Sequence, residues 1–168
     1  MYSVVKKGTA IKMIELINQI PVADTHEHLV EETDRLNHTQ PLFPNDISLL
    51  FIQYIESDLI VSGMPVNDFE KIKTINGDPE EKWQLISPWW PMIRSTGYGQ
   101  MILESIKILY HFDDLNDSNW FKINDLLSSL PQKGFYRDIL KDKCNLDHCQ
   151  INALDSPLFR ETNFPDIR

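Results

Sequence analysis

The 168-residue chain contains few cysteines, more acidic than basic residues and no long apolar run. Two cysteines are too few for a disulfide scaffold, so we expect a reduced, cytoplasmic setting. Lysine and arginine total 16 against 25 aspartates and glutamates, and the net charge of −9 argues against nucleic acid or an anionic membrane surface as a partner. The apolar runs fall far short of the roughly 18 residues of a membrane span, and the N-terminus lacks the apolar core of a secretory signal.

Glycine is also scarce, and only Gly97 and Gly99 form a Gly-x-Gly pair. This pair lacks the further glycines and the preceding strand of a phosphate-binding loop, so no such nucleotide site is predicted. Hydrophobic residues are plentiful at 42% of the chain, which at this length is enough for a sizeable buried core.

The apolar spacing predicts a helix, a strand, several further helices and a second strand. A helix is predicted over residues 8–20, a buried strand over about 22–30 and a loop over 31–46, where Glu31 and Glu32 are expected to be solvated. Further helices are predicted over residues 49–62, 67–74, 80–86, 94–110, 120–130 and 134–143, with a break at Pro88 and Pro91. The second strand is predicted at about 149–154, followed by an irregular tail at 156–168.

This order of elements predicts an α/β fold class with a predominantly helical chain. Two strands cannot form a stable sheet alone. A strand, a helical crossover and a second, parallel strand make one βαβ unit, which is normally right-handed. The chain therefore carries one piece of an α/β architecture.

One short stretch carries recognisable chemistry: Asp24-Thr25-His26-Glu27-His28. Alternate residues of a strand point to the same side, so Asp24, His26 and His28 are expected to share one face, with Thr25 and Glu27 on the other. Two imidazoles at this spacing can bind one borderline cation such as zinc, nickel or iron. Asp24 would orient a histidine from behind or satisfy nearby backbone groups. The alternative is a His-x-His pair that arose by chance and binds nothing.

The stretch from Val22 to Leu29 resembles the first-strand signature of the amidohydrolase superfamily. The resemblance is to metal-dependent hydrolases of the amidohydrolase-2 type, with uronate isomerases as distant relatives. The segments Trp90–Arg94, Gly97–Gln100, Ile106–Tyr110 and Phe112–Leu115 are similar to the helical insertions that these proteins carry between their first two strands. The resemblance extends to about residue 155.

The resemblance implies a TIM (β/α)₈ barrel with its site at the C-terminal ends of the strands. It implies that His26 and His28 are ligands of a divalent metal, expected to be zinc, with Asp24 behind them. In the family, later strands supply a bridging carboxylate or modified lysine, two more histidines and an aspartate. The implied reaction is attack of metal-activated water on a small carbonyl-type substrate.

A complete barrel needs about 250 residues, so the resemblance implies an N-terminal portion of a metal-dependent hydrolase. Residues 1–155 would hold strand 1 at about 22–30, a helical insertion at about 46–143 and strand 2 at about 149–154, with a tail at 156–168. We expect this truncated chain to be inactive alone, with the missing C-terminal portion or a second copy as its partner.

Two alternatives stay open at this point. A uronate-type sugar-acid isomerase shares the histidine pair, so these residues do not separate it from a hydrolase. A non-catalytic helical module would instead use its unpaired strand edges to associate with itself or with a partner chain.

Other candidate residues carry weaker signals. Arg94 and Tyr98 could bind a substrate carboxylate, although core packing and a surface salt bridge are the plainer interpretation. His38 is predicted in an exposed loop. Cys144 and Cys149 invite a metal interpretation, but no second pair of ligands completes it, so we expect both to be structural.

Overall fold

Two parallel strands pair residues that are far apart in the sequence. In the computed structural model, which describes residues 7–37 and 43–151, β1 (Val22–Glu27) pairs with β2 (Leu146–Ile151) in parallel. Helices account for most of the remaining described residues, so a mostly helical chain with one parallel strand pair is confirmed. No helix in this described part is long and apolar enough to cross a membrane.

The chain divides into two compact units. The first, here called the sheet unit, is described over residues 7–34 and 133–151. The second, here called the helical unit, is described over residues 35–37 and 43–132. The predicted tail at 156–168 and the predicted strand residues 152–154 lie outside the described residues, as does His38.

The sheet unit begins with helix α1 (Lys7–Ile17), followed by β1, and ends with a π-helix at Arg137–Lys143 and β2. The second strand begins three residues earlier than predicted, because Asn145 with a positive φ of 52° ends the π-helical segment and redirects the chain. The small core of the sheet unit centres on Tyr136 and Cys149. The following partly buried apolar residues pack against them: Leu29, Phe135, Leu140, Leu146 and Ile151.

The helical unit contains two 3₁₀ turns and a series of short helices. The 3₁₀ turns are Ile47–Phe51 and Gln53–Ile55. The helices are α3 (Glu56–Ser62), α4 (Val66–Ile72), α5 (Pro79–Ile86), α6 (Trp90–Ile93), α7 (Gly97–Tyr110) and α8 (Trp120–Ser129). A short helix, α2 (Glu32–Leu36), lies where the two units meet in the sequence and replaces part of the loop predicted over 31–46.

The single helix predicted over residues 49–62 is wrong in its first half. Ile52 is extended and Gln53 has a positive φ of 76°, so the segment breaks into two 3₁₀ turns before α3. Phe51 and Ile55, on either side of the break, are both buried in one core, and a continuous apolar stripe does not reveal such a break. Asp46 caps the first 3₁₀ turn, since its side chain accepts a hydrogen bond from the Ser48 backbone N–H.

Aromatic side chains form the centre of the helical unit. Phe51 meets the Trp90 ring edge to face at 5.4 Å, and Trp83 stacks on Trp120 at 6.0 Å. The indole N–H of Trp90 donates to the Leu115 carbonyl at 2.8 Å. A buried tryptophan needs such a partner for its N–H, so the core is both apolar and satisfied.

The tight start of α7 explains Gly99, the second glycine of the Gly-x-Gly pair. A Cβ atom on Gly99 would lie 2.1 Å from the Ile93 carbonyl oxygen, whereas one on Gly97 would meet nothing within 4 Å. Thr96 caps the helix, because its side chain accepts from the Gly99 N–H at 3.1 Å. Gly99 is therefore required by close backbone packing.

A buried ion pair fixes the first turns of the helical unit against α5. The Lys82 Nζ donates to Asp46 Oδ2 at 2.6 Å, to the Thr74 carbonyl and to the Ser48 hydroxyl at 3.4 Å. Lys82 is only 2% exposed, so its charge is compensated entirely by protein groups. Buried charges are tolerated only when paired and hydrogen-bonded in this way.

We predict that Lys82→Met lowers the free energy of unfolding by about 3–5 kcal/mol, because Asp46 is left buried and unpaired. Lys71→Met is the matched control, since Lys71 pairs with Asp68 at the same 2.6 Å on the surface. Its expected loss is below about 1 kcal/mol. Urea unfolding followed by tryptophan fluorescence measures both, and equal losses would contradict the role given to the buried pair.

Candidate metal centre

The end of β1 brings two imidazole rings together. His26 lies in the strand and His28 directly after its last residue, on the same side of the chain. Their Nε2 atoms are 3.2 Å apart, and the rings meet at 85° with centroids 4.9 Å apart. Both side chains are exposed, so the two nitrogens converge at a surface that a ligand can reach.

The separation of the two nitrogens fits a shared zinc ion. Two Zn–N bonds of about 2.05 Å at a near-tetrahedral angle place the nitrogens about 3.3 Å apart. The observed 3.2 Å between His26 Nε2 and His28 Nε2 agrees with this distance. Without a metal, the same separation allows one ring to donate a hydrogen bond to the other, depending on the tautomers.

Asp24 and Glu27 lie together, contrary to the expected alternation. The register of β1 against β2 shifts between Asp24 and Glu27, and this irregularity breaks the period of two. The Glu27 carboxyl consequently lies close enough to the Asp24 side chain to interact with it, so the prediction that they face opposite ways is wrong. Asp24 Oδ1 also accepts from the His26 backbone N–H at 3.1 Å, which is the backbone role considered for it.

The environment of Glu27 raises the pKa of its carboxyl group. Burial raises the pKa of Glu27, and the hydrogen bond and negative charge of Asp24 raise it further. The backbone N–H and the charge of His28 act in the opposite direction. The strand that carries the histidines therefore also carries a crowded acidic pair, and negative charge favours cation binding nearby.

Cys149 completes this part of the sheet. It lies opposite Asp24 in the register of the two strands, and its side chain is buried. Burial raises the pKa of the Cys149 thiol, and the charges of Asp24 and Glu27 raise it further. The thiol is consequently kept protonated, which disfavours it as a metal ligand because metals bind the thiolate.

Arg94 and Tyr98, proposed from sequence as substrate contacts, both belong to the helical unit. The Arg94 guanidinium donates to Asp114 Oδ1 at 2.8 Å, and Tyr98 stacks on Tyr54 at 5.9 Å. A substrate carboxylate would have to compete with Asp114 for Arg94. Arg94 therefore forms a salt bridge with Asp114, which agrees with the plainer interpretation of Arg94 from the sequence.

Sequence reasoning missed the contacts of Glu32. Its carboxylate accepts from the backbone N–H groups of Gly134 at 3.2 Å and Tyr136 at 2.9 Å, so the predicted solvated turn is wrong. The Tyr136 hydroxyl donates to the Val30 carbonyl at 2.7 Å. These partners are more than 100 residues apart in the chain, and no local pattern predicts them.

The histidine pair is not part of a larger ligand set that the structure describes. Over residues 7–37 and 43–151, no group of three or more histidine, cysteine, aspartate or glutamate side chains is arranged to hold a metal ion. No family model matches the chain, and neither a curated protein nor a solved structure matches it.

We predict that the two cysteines differ in reactivity. Cys144 is exposed, whereas Cys149 is buried and its raised pKa lowers the thiolate fraction that reacts. At mildly alkaline pH, a thiol reagent should modify Cys144 quickly and Cys149 only after unfolding. Mass spectrometry of Cys144→Ser and Cys149→Ser measures each site separately, and equal rates in the folded protein would contradict the description of Cys149.

Proposed function

We propose that this chain contributes the first metal ligands of an amidohydrolase-type, metal-dependent hydrolase, as an N-terminal portion of its (β/α)₈ barrel. The convergence of His26 Nε2 and His28 Nε2 at 3.2 Å supports the proposal most directly. The parallel pairing of β1 with β2 across a helical crossover is compatible with the start of such a barrel.

Each residue at the centre has a distinct task in this proposal. His26 and His28 bind the cation through Nε2, and imidazole ligands favour zinc among the common divalent metals. Asp24 holds the backbone of His26, and the Asp24–Glu27 pair adds negative charge. A divalent cation bound there would polarise a small carbonyl-type substrate and activate water as the nucleophile.

A working centre of this kind needs more than the histidine pair. Catalytic zinc normally has three protein ligands and one open position. The remaining ligands would come from later strands of the barrel, so we expect weak metal binding and no hydrolysis by this chain alone. A uronate-type isomerase would use the same pair, and the proposal for the metal site holds for both reactions.

Helix α1 favours a second candidate function, association with another chain. The following apolar side chains are all at least half exposed: Ile11, Met13, Ile14, Leu16, Ile17 and Ile20. Exposed apolar surface of this extent marks interaction sites. In this candidate function, α1 and the edges of the two-stranded sheet bind a second copy or a partner chain.

We predict that the chain binds one Zn²⁺ through the histidine pair. In calorimetric titrations, His26→Ala and His28→Ala should each weaken binding at least about tenfold, equivalent to about 1.4 kcal/mol. His111→Asn removes a histidine from the end of α7 and should bind as the wild type does, since asparagine tolerates the left-handed backbone there. Equal Zn²⁺ affinity in all four proteins would overturn the ligand assignment.

We predict that association of the chain with a second copy depends on α1. Sedimentation velocity should show a concentration-dependent oligomer for the wild type and a monomer for Leu16→Glu, because a charge replaces a side chain that is 63% exposed. Gln19→Glu adds the same charge without removing apolar surface, so it should associate like the wild type. A wild type that is monomeric at every concentration contradicts association with a second copy.

A further inference from the structure

The loop that follows β1 is held at two points within the sheet unit. Glu32 binds the backbone of residues 134 and 136 with both carboxylate oxygens, at 3.2 and 2.9 Å. The Tyr136 hydroxyl donates to the carbonyl oxygen of Val30 at 2.7 Å. Tyr136 is only 4% exposed, so this hydroxyl reaches the loop from within the small core.

Within the residues that the structure describes, 7–37 and 43–151, strand pairing ends before His28. The register between β1 and β2 ends at Glu27 and Ile151, and the backbone beyond Glu27 is irregular until Glu32. Leu29 packs against the core of Tyr136 and Cys149. The His28 side chain therefore extends from the loop, whereas that of His26 extends from the strand.

We propose that Glu32 and Tyr136 are positioning residues for the metal pair, a role that rests on the function proposed above. Together they hold the loop so that His28 Nε2 stays 3.2 Å from His26 Nε2. Binding one cation requires both nitrogens at once, so a loop that moves freely lowers affinity without removing a ligand. Outer contacts that orient metal ligands typically contribute about 10–100-fold in affinity or activity.

Two conservative substitutions separate positioning from folding. Tyr136→Phe removes the hydroxyl and keeps the ring in the core. Glu32→Gln keeps the length of the side chain, removes its charge and replaces one of the two oxygens that accept from backbone N–H groups. Tyr54→Phe is the matched control, because it removes a hydroxyl from an exposed tyrosine of the helical unit.

The first measurement needs no metal. The ¹⁵N chemical shifts of the His26 and His28 ring nitrogens report tautomer and hydrogen bonding, so they follow the contact between the two rings. At one fixed pH, Tyr136→Phe and Glu32→Gln should shift these resonances, and Tyr54→Phe should not. Far-UV circular dichroism must match the wild type in each sample. Ring resonances identical to the wild type in both Tyr136→Phe and Glu32→Gln would overturn the proposal.

The second measurement is Zn²⁺ affinity by calorimetry. Tyr136→Phe and Glu32→Gln should weaken binding about tenfold while both histidines are present, and Tyr54→Phe should not. If the wild type binds Zn²⁺ and both variants bind it with the same affinity, the positioning role is also overturned. A wild type that binds no Zn²⁺ refutes the proposed metal function instead. The ring resonances then decide whether Glu32 and Tyr136 hold His28 beside His26.

Discussion

The parallel pairing of β1 with β2 is the constraint on which the rest of the structure depends. Parallel neighbours cannot be joined by a tight turn, so the chain between them must cross back to the same end of the sheet. Here the crossover contains a whole helical unit with its own aromatic core. The same pairing sets Cys149 beside Asp24 and brings residues 134–136 to the loop that carries His28.

The two units arrange their charged side chains in different ways. In the helical unit, Lys82 and Asp46 neutralise each other, and backbone and hydroxyl groups satisfy the remaining hydrogen bonds. In the sheet unit, Asp24 and Glu27 crowd each other, and the pKa of Glu27 rises as a result of burial and this contact. The first arrangement stabilises a core, whereas the second leaves a negative region beside two exposed imidazoles that favours a cation.

Features set by local chemistry were predictable from sequence. Asp46 caps the first 3₁₀ turn, Pro79 begins α5 and Gly63 ends α3 with a left-handed φ of 116°, as these residue types favour. The histidine spacing on a strand likewise indicated that the rings share a face. The failures involve partners distant in sequence. Glu32 binds backbone 102 and 104 residues away, and the irregular register that turns Glu27 toward Asp24 is a property of two strands together.

The distance in sequence between the two strands also has a consequence during synthesis. Val22 pairs with Leu146, so β1 leaves the ribosome long before its partner exists. The helical unit is one uninterrupted stretch, residues 35–132, and contacts that span less sequence form faster. The helical unit is therefore expected to fold first on the nascent chain, while β1 stays unpaired until β2 is synthesised. Until synthesis reaches Ile151, β1 presents unpaired backbone N–H and C=O groups, and such an edge is open to pairing with another chain.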